Sequence, residues 1–218
     1  MNCKIKDPFS ALSHLVGAIL SIFGTVLLVY YAYIANTIGH GIAFIIYGIS
    51  LIALYTASTV YHWVPLNDNK GLILRKLDHM MIFVLIAGTY TPICLVALRG
   101  VCGWVLFSLV WIIAIAGIIM KAFAMDIPRW IYTGIYIAMG WLAIFVFYPL
   151  TKALPLAGII WLVLGGVFYT VGGVIYALKW PKINSKWFGF HELFHLFILA
   201  GSACHYWLIF NFLLKNQI

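Results

Sequence analysis

No Asp, Glu, Lys or Arg occurs from Pro8 to Asn67, a stretch of 60 residues dominated by apolar side chains. Five more charge-free intervals follow: Asp78 to Arg99, Arg99 to Lys121, Arg129 to Lys152, Lys152 to Lys179 and Glu192 to Lys215. Each leaves 20 to 26 uncharged residues. A helix needs about 20 largely apolar residues to cross about 30 Å of hydrocarbon. Each of the five intervals is therefore one crossing. The first stretch is two crossings, divided at Asn36, Gly39, His40 and Gly41, where turn-forming residues gather. The pattern predicts seven transmembrane helices at about 10–35, 41–63, 77–98, 103–123, 130–150, 155–178 and 187–213.

Barrel strands would be about half as long and would alternate in polarity, and runs such as Ile42–Leu54 and Ile159–Phe168 do not alternate. The expected fold class is all-α, with residues 1–218 forming one seven-helix membrane domain. The first apolar run is span-length and lacks a small-residue cleavage site, so it is expected to remain as an anchor. Pro92 and Pro149 are expected to kink or end the third and fifth helices. Gly165, Gly166, Gly172 and Gly173 on the sixth are expected to let a neighbouring helix approach closely. Trp63, Trp104, Trp130 and Trp187 near span ends suit interfacial belts.

Composition narrows the class without changing this picture. With 65% hydrophobic and 8% charged residues, the chain could not cover its own surface in water. The cysteines Cys3, Cys94, Cys102 and Cys204 form no CxxC pair and read as buried or incidental thiols. The net charge of +8 is informative only through its placement. Alternating spans put Lys4, Lys6, Lys70, Arg75, Lys76, Lys121, Arg129, Lys179, Lys182 and Lys186 on one side. Only Arg99, Lys152 and Lys215 fall on the other. Positive charge marks the cytoplasmic side, which predicts a cytoplasmic N-terminus and an extracytoplasmic C-terminus in the cell membrane. The basic residues are thereby explained as a topology signal, aided by anionic inner-leaflet lipid. Membrane lipids are the expected partners, and nucleic acid is not.

Ionisable groups inside spans are costly and are functional candidates by default. They stand out in four places: Ser58-Thr59-Val60-Tyr61-His62 at the end of helix two, Leu77-Asp78-His79 at the start of helix three, His191-Glu192-Leu193-Phe194-His195 at the start of helix seven with His205 further along, and Ser13-His14 near the start of helix one. His191 and His195 are four apart and share a helix face, as do Ser58 and His62. The alternation of spans brings these four and Asp78 to one depth, at the cytoplasmic end, with Asp78 and His191 expected in the first turns of their helices. Three imidazoles without paired thiolates suit Zn²⁺, and three protein ligands leave the open position of a catalytic site. His62, His191 and His195 are the candidate ligands. Asp78 is placed to hold or deprotonate water, and Ser58 to orient a ligand or bond to substrate. His191–His195 also matches the HExxH pattern, which makes Glu192 a rival base. His14, His40, His79 and His205 read more simply as groups bonding between helices. His205 lies about 15 Å further along its helix than His195, too deep to share the same ion.

These motifs, with Ser13-His14-x-x-Gly17, Ala87-Gly88-Thr89-Tyr90-Thr91-Pro92, Ala138-Met139-Gly140-Trp141 and His205-Tyr206, resemble the hemolysin III family, the bacterial branch of the progestin and adipoQ receptor superfamily. The resemblance spans nearly the whole chain in the expected order. It implies seven helices and zinc held near the cytoplasmic face by His62, His191 and His195, with Asp78 and Ser58 as the water-holding acid and its polar neighbour. Hormone reception does not carry over, because only nine residues precede the first helix. Three functions are left to weigh: a zinc-dependent hydrolase of a lipid amide or ester, a non-enzymatic regulator of membrane fluidity or lipid homeostasis with structural zinc, and a lytic membrane protein.

Overall fold

The computed structural model describes residues 5–65, 69–124, 127–183, 185 and 187–214. Among these, seven helices are long and apolar enough to cross a membrane. They are α1 (Pro8–Ile34), α2 (Ile38–Trp63), α3 (Asn69–Leu98), α4 (Gly100–Phe123), α5 (Arg129–Ala153), α6 (Leu156–Leu178) and α7 (Phe190–Leu214). No strand occurs among the described residues. The all-α, seven-span reading is therefore the observed one. Cys3, Lys4, Lys186 and Lys215, used in reading the sequence, lie outside the described residues.

The largest departure is at α3, which begins at Asn69 rather than near residue 77. Counting charge-free residues measures only the part of a helix that lipid can tolerate. Thirty helical residues reach about 45 Å, so the turns carrying Lys70, Arg75 and Lys76 extend past a hydrocarbon layer. Asp78 consequently sits in the third turn of its helix, not the first. Pro92 does not end α3 but switches its last six residues, Ile93–Leu98, to π-helix, as expected where a ring replaces a backbone N–H. In α5, residues Trp141–Val146 form a 3₁₀ segment just ahead of Pro149.

Neighbouring spans pack in sequence from α1 to α4 and again from α5 to α7, and α1 meets α7 to close the ring. Close packing rests on small residues, since lipid tails are as apolar as leucine. A Cβ on Gly48 would fall 2.2 Å from Thr25 Oγ1, and one on Gly88 would fall 2.1 Å from Ser50 Oγ. These two glycines set the α1–α2 and α2–α3 spacings. On α6, Gly165, Gly172 and Gly173 lie against His205, Phe197 and Thr133 as expected of contact positions, whereas Gly166 faces open space. Ser21, Thr25, Thr89 and Thr91 turn their hydroxyls back to carbonyls of their own helices, which satisfies them without water. The outward faces carry large apolar residues such as Leu20, Phe23, Val105 and Ile112, and Trp63, Trp104, Trp130 and Trp187 are exposed near span ends. This is a multi-pass membrane protein. Its packed interior leaves one side of the ring, between α3, α5, α6 and α7, incompletely filled.

Candidate metal centre

The last two turns of α2 place Ser58 and His62 on its inward face, 1% and 2% exposed. The first turns of α7 place His191 and His195 opposite them. The start of α7 is held in shape by Glu192, whose Oε2 accepts the Gly189 N–H at 2.8 Å and whose Oε1 accepts the Ser10 hydroxyl at 3.1 Å. Glu192 thus closes its own helix and ties it to α1.

The Nε2 atoms of His62 and His191 are 3.3 Å apart, and those of His191 and His195 are 3.1 Å apart. The three residues each present a ligand atom within 4.8 Å of the others. His62 Nδ1 lies 2.9 Å from Asp7 Oδ2. A carboxylate only accepts, so His62 carries its proton on Nδ1 and turns a lone pair on Nε2 toward the other two rings. Three imidazole nitrogens converging in this way cannot all satisfy one another. A central cation resolves the conflict, and a His whose other nitrogen donates to a carboxylate is the usual arrangement behind a metal ligand. The donor set fits a metal ion.

Asp7 is not among the candidates that the sequence suggests. Its carboxyl is held below the ordinary carboxylate value of 3.8 chiefly by the hydrogen bond from His62, with Lys6 acting in the same direction against the effect of burial. The lowered value means that the carboxylate's contribution is complete above about 3.8 and is lost as the pH falls through the lowered value. The one signal in the sequence is its position directly before the first span, at the same end of the bundle as His62.

Asp78 and Ser58 are not ligand atoms of the cluster. Both line a cavity of about 460 Å³ that also takes in His191 and His195. Asp78 Oδ2 lies 3.4 Å from His79 Nδ1, and His79 Nε2 lies 3.1 Å from the Tyr176 hydroxyl. The Arg129 guanidinium sits over the Tyr176 ring, 4.9 Å from its centroid. His79 therefore does bond between helices, from α3 to α6. His14 does not. Among the described residues neither of its ring nitrogens has a hydrogen-bond partner, and its ring stacks on His195 with centroids 3.9 Å apart. His14 and His79 both line the cavity. His205 stands apart from the cluster, packed against Tyr169 at 5.3 Å.

From this polar end the cavity runs between α3 and α6 as far as Ile93 and Leu162. The fifteen residues from Asp78 to Ile93 correspond to about 20 Å along the helix. Beyond the polar end its walls are mainly apolar. Trp141, Ile144, Phe147 and Val163 line it while also being exposed on the outside of the bundle, so α5 and α6 leave it a side opening toward the lipid-facing surface.

The profile of the family described as "Haemolysin-III related" matches residues 3–206. The chain is 38% identical to "Hemolysin-3" of Bacillus cereus, over 99% of its length and 96% of the relative's. It is 37% identical to the "Hemolysin-3 homolog" of Bacillus subtilis, over 97% and 96%. Similarity at 26% identity extends to the human "Monocyte to macrophage differentiation factor", over 78% of this chain and 70% of that protein.

Proposed function

The chain belongs to the haemolysin-III related family, and on that premise we propose that it is a zinc-dependent hydrolase of a lipid amide or ester. The observation that carries this reading is the three-histidine cluster opening onto a long apolar cavity whose polar end also holds Asp78 and Ser58. His62, His191 and His195 are the ligands. Nitrogen donors without thiolate favour zinc, and three ligands rather than four favour a catalytic over a purely structural ion. Bound zinc supplies a Lewis acid that polarises a carbonyl and acidifies water.

The protein's own groups do the rest. The apolar walls take the hydrocarbon chain and exclude bulk water, and the side opening between α5 and α6 admits substrate from the bilayer. Asp78 receives the proton of the attacking water and delivers it to the leaving group. Ser58 bonds to the lipid head and sets its orientation. The charge asymmetry of the loops supports a cytoplasmic location for this polar end, with the N-terminus inside. A fluidity regulator with structural zinc would need neither the cavity nor the acid. A lytic reading draws on the relatives' name, and leakage from liposomes carrying the protein would favour it.

The test is release of fatty acid from a panel of lipid amides and esters by purified protein in nanodiscs, with a metal-stripped sample as the control. Release that depends on metal is expected. No release above the stripped control from any lipid would contradict the hydrolase. A companion variant asks whether the cavity is the substrate site. Gly166 lines it, and a Cβ added there would meet nothing within 4 Å. Gly166→Leu is therefore expected to keep the thermal midpoint while lowering hydrolysis about tenfold, equivalent to about 1.4 kcal/mol of barrier. An unchanged rate would place the substrate elsewhere.

A further inference from the structure

Helix α1 supplies no ligand to the histidine cluster, yet the start of this helix touches the mounting of all three. Asp7 meets His62, Ser10 meets Glu192 beside His191, and His14 stacks on His195. These residues occupy successive turns of one face at the start of the helix.

The contact at Asp7 is the most specific of them. Asp7 stands at the N-cap position of α1, where an aspartate ordinarily accepts an N–H from its own first turn, but its side chain makes no capping bond. The carboxylate instead accepts the His62 Nδ1–H at 2.9 Å. The Asp7 backbone N–H simultaneously donates to the His62 carbonyl at 3.0 Å, and Lys6 N–H donates to Trp63 O at 3.4 Å. Asp7 therefore grips His62 at both main chain and side chain. The main-chain bond satisfies a carbonyl left open at the end of α2. The side-chain bond fixes the ring's tautomer and rotation, so that Nε2 is the free lone pair and points at His191.

We propose that Asp7, supported by Ser10 and His14, is the positioning residue of the metal site and sets the site's affinity by holding His62 in register with the two histidines of α7. The proposal rests on the reading of His62, His191 and His195 as metal ligands. Loss of such a partner typically lowers metal affinity about 10- to 100-fold.

The experiment measures zinc affinity of the purified full chain by chelator competition for wild type, Asp7→Ala and Asp7→Asn, alongside thermal unfolding with and without zinc. Asp7→Ala is expected to bind zinc about 10- to 100-fold more weakly. Asp7→Asn keeps an acceptor for the His62 N–H and is expected to recover part of that loss. The rise in unfolding midpoint on adding zinc shrinks in the same order, because ligand stabilisation follows the ratio of concentration to dissociation constant. Affinity equal to wild type in both variants would overturn the proposal. So would a lower midpoint in both states with an undiminished zinc-induced rise, since that marks a mere tie between α1 and α2. Should Asp7→Ala fail to fold, a wild-type affinity in Asp7→Asn together with an unchanged cobalt absorption spectrum overturns it, and a weakened, altered site supports it. A wild type that takes up no zinc at all would instead remove the ligand reading beneath it.

Discussion

Replacing His191 and His195 together with alanine is expected to take the zinc content of the purified protein from about one ion per chain to background. The two rings project from one face of α7, and their Nε2 atoms lie 3.1 Å apart. Removing both leaves His62 as the sole imidazole of the cluster, a single ligand where a catalytic zinc site needs three. Glu192 cannot substitute for them, because both of its oxygens are engaged, one by Gly189 N–H and one by the Ser10 hydroxyl. His205→Ala is the matched control. It removes another buried imidazole from the same helix, about 15 Å along the axis from His195, and should leave zinc in place. Elemental analysis of the three preparations decides the matter, and equal zinc in all of them would refute the ligand assignment.

The second large effect is expected at Asp78. Asp78→Asn preserves shape and removes the ability to take a proton, so zinc content should stay at the wild-type level while hydrolysis falls about 10²- to 10⁴-fold, the usual range for a lost general base. The side chain is suited to this separation. It lines the cavity together with His191 and His195 without belonging to the ligand cluster, and the His79 ring lies beside it, Nδ1 at 3.4 Å. A fall in kcat with little change in KM is the expected form of the loss. Rates within about threefold of wild type, in a variant retaining zinc, would transfer the base role away from Asp78.

Much of this site is legible in the sequence because the bilayer imposes two simple rules. Charges are excluded from spans, so the intervals from Asp78 to Arg99 and from Lys152 to Lys179 read as single crossings. Helices alternate in direction, so His62 at the end of one span and His191 at the start of another fall at one depth. Helical spacing then supplies the pairing of His191 with His195.

What escapes is whatever those rules do not govern. The charged first turns of α3 are helical although lipid would not hold them, so the helix begins two turns before Asp78 rather than beside it. The 3₁₀ segment at Trp141–Val146 and the side opening beside it depend on how α5 and α6 pack, and no local pattern encodes that. Asp7 lies outside every span and has the look of an ordinary helix cap. Its pairing with His62 exists only because residues 55 positions apart share one end of the bundle. The sequence suggests a helix-bonding role for His14, and only the fold reveals that its partner is the face of His195.

The claim on which the rest depends is that three histidines hold one zinc ion, and zinc K-edge X-ray absorption on the intact protein, purified without added metal, addresses it without an intermediate step. About one zinc per chain is expected, with a first shell of nitrogen and oxygen at about 2.0–2.1 Å, outer-shell scattering from three imidazoles and no sulfur. Absence of zinc, or a shell at the sulfur distance of about 2.3 Å, would refute it.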